Sequence, residues 1–186
     1  LLSSAATAFF AGLLAADVFE WDPEPVAVFV GSATALHAGS LWRRRDRPAQ
    51  HLAFFAGVIA ALAGASAWLD DPGMVGLVLW TLGAVWLVLG WRRIVAPAAI
   101  AFVTAPGLML VAAGVTGGSW ESFAPLFGLI TAVGLFAGGT VLKEFLITGV
   151  AVVGMFVYLP MSGAEYFGET IGVPIVLLAT GLLLIT

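Results

Sequence analysis

There is no cysteine anywhere in this chain of 186 residues. Disulfides, thiolate metal sites and cysteine nucleophiles are thereby excluded, and the redox compartment leaves no mark. Charge is scarce too: Asp, Glu, Lys and Arg make up 10% of the residues, and histidine occurs twice. With His51 in a connection and His37 the one other histidine, paired haem ligation and a multi-histidine metal site both lack residues, and no cofactor or metal is expected. Seven bases on so short a surface exclude a nucleic-acid interface, so no nucleic acid partner is expected. Intramembrane hydrolysis needs a buried nucleophile with a base, or two carboxylates, and the charge census leaves neither inside an apolar run; the chain does not read as an enzyme.

What is present is apolar. Hydrophobic residues make up 61% of the chain, and its mean hydropathy is +1.09, outside the range of a soluble domain. The apolar runs are continuous, without the alternation of a barrel strand, and have about the length that crosses a ~30 Å hydrocarbon core as helix. Eight such runs are predicted, near residues 1–16, 25–42, 52–69, 74–91, 94–115, 123–141, 145–160 and 171–186. The expected fold is therefore all-α: one polytopic transmembrane bundle over residues 1–186, its eight helices arranged as four hairpins. The chain begins at Leu1 and stops within "LLATGLLLIT", so both ends read as truncated.

The connections between runs sort by sign. The first, third, fifth and seventh hold Asp17, Glu20, Asp22, Glu24, Asp70, Asp71, Glu121, Glu165 and Glu169, and no base. The others hold all seven bases, Arg43, Arg44, Arg45, Arg47, Arg92, Arg93 and Lys143, with Asp46 and Glu144. Arginine and lysine set orientation, so these seven are the predicted topology determinants, with both termini in the cytoplasm of a prokaryotic inner or plasma membrane. Contact with anionic lipid or a cytosolic partner is the alternative role for "RRRDR". Arginine outnumbers lysine six to one amid abundant alanine and glycine, which points to a GC-rich prokaryotic genome.

One internal likeness stands out. "WRRRDRPA" from Trp42 aligns without a gap on "WRRIVAPA" from Trp91, and the same 49-residue shift relates Pro125 to Pro174 and Thr131 to Thr180. Parallel repeats over residues 1–41, 42–90, 91–139 and 140–186 would produce this pattern; so would membrane topology alone, which calls for Trp, Arg and Pro at interfaces. Close helix approach is expected at the small residues Gly31, Ala35 and Gly39, at the heptad Gly76, Gly83 and Gly90, and at Gly134 with Gly138. These stripes would serve contact within the chain or a homo-oligomer seam.

Few residues could carry function. His37 is the ionisable side chain expected within a helix besides Tyr158, while His51 is assigned to a connection; an intramembrane histidine is a proton or substrate candidate. Pro106 with Gly107 falls in the middle of the fifth run, where a broken helix could line a transport site or a kink could merely shape a bundle. Trp80 and Trp86 are expected to face lipid or to pack rather than to cage a ligand. Two function classes follow. One is a membrane scaffold, anchor or accessory subunit, with the lipid bilayer, partner membrane subunits or further copies of itself as partners. The other is a transporter or channel for a neutral or weakly polar solute, which requires a polar path lined by Thr81, Thr104, Thr131, Thr140 or His37.

Overall fold

A computed structural model describes residues 2–13, 22–43, 48–69, 71–118 and 121–185, in the last stretch with side chains as far as residue 166. The architecture is all-helical, without a strand among the described residues. In chain order the helices are α1 (Leu2–Leu13), α2 (Pro23–Trp42), α3 (Pro48–Ala67), α4 (Pro72–Trp91), α5 (Ala98–Val115), α6 (Ala124–Leu142) and α7 (Phe145–Ile185), with a 3-10 turn at Thr116–Gly118 after α5. Five are long and apolar enough to cross a membrane: α3 to α6, and α7 over Phe145–Tyr166. α2 has the length, but Glu24, Ser32, Thr34, His37 and Ser40 dilute its apolar character.

Proline sets many of the starts. Pro23, Pro48 and Pro72 each open a helix and Pro125 is second in α6, positions where the missing N–H has no intrahelical partner to lose. Asp71 caps α4 by accepting the Gly73 N–H at 2.8 Å. Bases occupy the other ends. The C-caps of α2, α4 and α6 are Arg43, Arg92 and Lys143, where a cation complements the helix dipole.

Two of these ends share one closing geometry. After α4, Arg93 N–H reaches Gly90 O and Ile94 N–H reaches Leu89 O; after α6, Lys143 N–H reaches Thr140 O and Glu144 N–H reaches Gly139 O. Both are Schellman closures, and in each the left-handed residue, with φ of 56°, is a base where glycine would be unstrained. A non-glycine residue there costs ~1 kcal/mol. The chain thus holds basic residues at positions where the backbone alone would favour glycine.

The eight-run reading changes at the end of the chain. The runs at 145–160 and 171–186 belong to one helix of 41 residues, and the turn expected at "AEYFGE" does not form. That segment has acidic residues but no proline and a single glycine, so it is polar without the chemistry that stops a helix. The pairing also differs from the expected hairpins. The closest partners are α2 with α3, α4 with α5 and α6 with α7, each pair joined by a basic connection, while α1 lies on α2. Contact between consecutive pairs, α3 with α4 and α5 with α6, is much thinner.

Glycine explains the closeness. A Cβ on Gly31 would fall on the backbone of Ala61 and 2.7 Å from Gly57 O, and one on Gly57 would lie 2.7 Å from the Ala35 nitrogen. On α4 the heptad meets α5 at successive levels: Gly76 at Ala112 and Thr116, Gly83 at Ala105 and Met109, Gly90 at Ala101. Gly139 similarly faces Ile147 and Thr148 of α7, and Gly39 faces the Phe54 ring. The α6 pair expected to pack, Gly134 and Gly138, does not: a Cβ at either meets nothing within 4 Å, because that side of α6 points away from α7 and α5. Gly31→Ala is therefore expected to lower thermal stability in detergent by ~1–3 kcal/mol, since a backbone has to move. Gly134→Ala, which has room and gains helix propensity, should be neutral or stabilising. Equal melting of the two variants would mean that the α2–α3 approach is looser than described.

Candidate functional site

The densest constellation of chemistry-bearing side chains sits where α2 ends, α3 begins and α4 approaches its own end. Pro48 opens α3, so His51 lies in that helix's first turn and not in a connection as expected; it is 0% exposed. Trp42 closes α2 and stacks on the imidazole, with ring centroids 4.8 Å apart and planes 20° apart. Trp86 approaches from α4, its ring 4.9 Å from Phe55 and 5.6 Å from Phe54, both one turn beyond His51. Two indoles thus flank one imidazole, and Phe54 and Phe55 pack in turn on Trp86.

Its hydrogen bonds define its state. Trp86 Nε1–H donates to His51 Nε2 over 3.0 Å, and Trp42 Nε1–H donates to Ala96 O over 2.8 Å. An Nε2 that accepts carries no proton, so the neutral ring holds its proton on Nδ1. Nδ1 itself is buried without a hydrogen bond of ordinary geometry. Through these two indoles, α2 and α3 are tied to α4 and to the α4–α5 connection, across the thin contact between the first two helix pairs.

Two further ties join helices from different pairs. Trp80 Nε1–H donates to Thr131 Oγ1 at 3.1 Å, linking α4 to α6, and the Tyr158 hydroxyl of α7 donates to Leu110 O of α5. Tyr158 lies flat against Gly128, and Phe102, Met109 and Leu110 of α5 complete an apolar core with Ala132, Leu135, Ile147 and Ala151. At the acidic end, the Tyr166 hydroxyl donates to Ser122 O at 2.6 Å.

No family model, no curated protein and no solved structure matches this chain. Its chemistry has to be read from the arrangement itself. Among the described residues no group of three or more His, Asp or Glu could hold a metal. Among the described residues His51 has no carboxylate or hydroxyl partner for proton transfer; Trp86 is bonded to it and Trp42 is stacked on it. It is built to join helices.

The residues singled out in the sequence are dispersed. His37 is half-buried in α2 with Nε2 unpartnered, while its carbonyl accepts from Ser40 Oγ. Pro106 is fully buried inside an unbroken α5, and Gly107 beside it has nothing within 4 Å of a Cβ. Thr81, Thr104 and Thr140 each bond the carbonyl four residues back in their own helix, and Thr81 lines an open cleft between α3 and α4. Arg43, Arg92, Arg93 and Lys143 are exposed at helix ends, and Arg44, Arg45 and Arg47 lie outside the described residues. Sequence reading missed His51 and its partnership with Trp42 and Trp86; the available signal was Pro48, which at the first helical position would have carried His51 inside the helix.

The His51–Trp86 bond should register in a double-mutant cycle. Trp86→Phe leaves a buried nitrogen unpaired and is expected to cost ~1–3 kcal/mol in detergent. Adding His51→Phe should recover part of that loss, with a coupling of ~1 kcal/mol. Strict additivity of the two substitutions would mean that the bond contributes nothing.

Proposed function

We propose that this protein is a multi-pass membrane scaffold, anchor or accessory subunit of a larger assembly, with its basic connections on the cytoplasmic face of a prokaryotic membrane. The observation that carries this reading is the state of α5. Pro106 is buried among side chains within a continuous helix, where a transport site would need free backbone groups facing a wet cavity. Of the threonines that would have lined a solute path, Thr81, Thr104 and Thr140 are bonded to their own helices and Thr131 accepts from Trp80. Two open clefts mark the surface, one lined by α3 and α4 and the other by α2 and α3, and neither touches Pro106 or Gly107. An interior held by indole and phenol hydrogen bonds suits a part that keeps its shape while others bind it. Partner chains or further copies have the exposed sides of α6 and α7 open to them, including Ile130, Val133, Gly134 and Phe145.

Orientation rests on the sorting of bases to one set of connections. In this cysteine-free chain, Ala96→Cys and Ser122→Cys are expected to react with an impermeant thiol reagent from opposite sides of the membrane, Ala96→Cys from the cytoplasm. Labelling of both from one side would overturn the assignment.

Function is tested in reconstituted vesicles and native membranes together. Vesicles holding the protein should be no more permeable to small neutral solutes than empty ones. Extraction with native lipid should yield an assembly larger than the single 19.2 kDa chain. A solute flux abolished by Pro106→Ala would replace the scaffold with a transporter.

A further inference from the structure

The cytoplasmic end of α2 carries a feature that the scaffold reading does not use. Ala35, Leu36, Gly39, Ser40 and Arg43 of α2 and Phe54 of α3 line an open cleft of about 630 Å³. Its composition is graded. Leu36, which is 76% exposed, and the Phe54 ring form an apolar wall, and Arg43 stands exposed at the end of the helix. Gly39 lets the Phe54 ring lie close against α2 at the base of the cleft, where a Cβ would come within 3.0 Å of it. The Ser40 hydroxyl is committed to His37 O, and Arg43 brings a charged donor to the lining.

We infer that this cleft is a binding site for an anionic phospholipid, with the phosphate on Arg43 and one acyl chain laid along Leu36 and Phe54. The dimensions suit it: from Ala35 to Arg43 is eight helical steps, ~12 Å, which runs from headgroup level to the upper part of an acyl chain. Trp42 next to Arg43 marks the same interfacial level. Guanidinium binds phosphate by paired N–H donors, which suits Arg43 to an anionic headgroup. A soluble anion would satisfy Arg43 but would leave Leu36 and Phe54 idle, whereas a lipid uses both ends of the gradient. The inference requires a bilayer around the helices but not the scaffold role, so either can fail without the other.

The test uses the full chain, purified in detergent and titrated with phosphatidylglycerol or phosphatidylcholine, with bound lipid counted by native mass spectrometry. One phosphatidylglycerol should bind in clear preference to phosphatidylcholine. Arg43→Gln should weaken it about fivefold, the contribution of one interfacial base. Ser40→Trp, which keeps every charge and fills the cleft, should weaken it comparably. Arg92→Gln removes an exposed arginine outside the cleft and should change little. Melting temperatures of the variants identify any that fail to fold; if Arg43→Gln is among them, the comparison of Ser40→Trp with the parent protein decides. Equal loss in Arg43→Gln and Arg92→Gln would mean a diffuse surface attraction and would overturn the site. So would full affinity in Ser40→Trp, absence of a headgroup preference, or displacement of the lipid by excess glycerol phosphate, which would mark a soluble-anion site instead.

Discussion

Helices in hydrocarbon gain little by hiding apolar surface from one another, so what joins them is how near their backbones can come. In this chain that nearness is supplied by glycine in each of the three tight pairs. Gly31 and Gly57 interlock between α2 and α3, Gly76, Gly83 and Gly90 let α5 lie along α4, and Gly139 admits α7 to α6. The rest follows from those approaches. Each pair turns at a basic connection, and Arg93 and Lys143 hold the left-handed positions there although glycine would be unstrained. Position of charge outweighs ease of backbone at those two residues, as expected if the connection also decides which way the pair inserts.

Between pairs a different interaction takes over. Where α3 meets α4 and α5 meets α6 the contact is thin, and side-chain donors bridge it: Trp86 to His51, Trp42 to Ala96, Trp80 to Thr131 and Tyr158 to Leu110. Indole and phenol suit the task because each combines a large apolar body with one donor that must be satisfied when water is absent. Their measured counterparts in membrane proteins contribute only ~0.6 kcal/mol on average. Their value here lies in direction as well as energy, because each bond selects one rotation of a helix against its neighbour.

Much of this layout was legible in the sequence, for reasons that differ from element to element. Continuous apolar runs locate α3 to α6 to within a few residues. The heptad on α4 and the four-residue stripe on α2 identify faces that do meet another helix. Gly134 and Gly138 have the same spacing yet look outward, because spacing tells which residues share a face and not what the face meets. α7 was divided in two because acidic residues were read as a turn, although a helix stops at missing propensity or a capping geometry and not at charge as such. His51 was assigned to the polar segment before α3, and its partnership with Trp42 and Trp86 depends on where α2 and α4 lie in space. Long-range pairing of aromatic rings leaves no local trace.

We propose that the interior of this bundle is dry and fixed by its indole donors, which is what separates a scaffold from a conduit. Hydrogen exchange of the seven tryptophan indole N–H groups, followed by nitrogen-15 NMR in bicelles, tests this most directly. Trp80 and Trp86, whose N–H groups are bonded between helices, should exchange orders of magnitude more slowly than Trp68 and Trp91, which are 61% and 49% exposed. Exchange at Trp80 and Trp86 as fast as at Trp68 and Trp91 would place water at the centre of the helices and contradict the account.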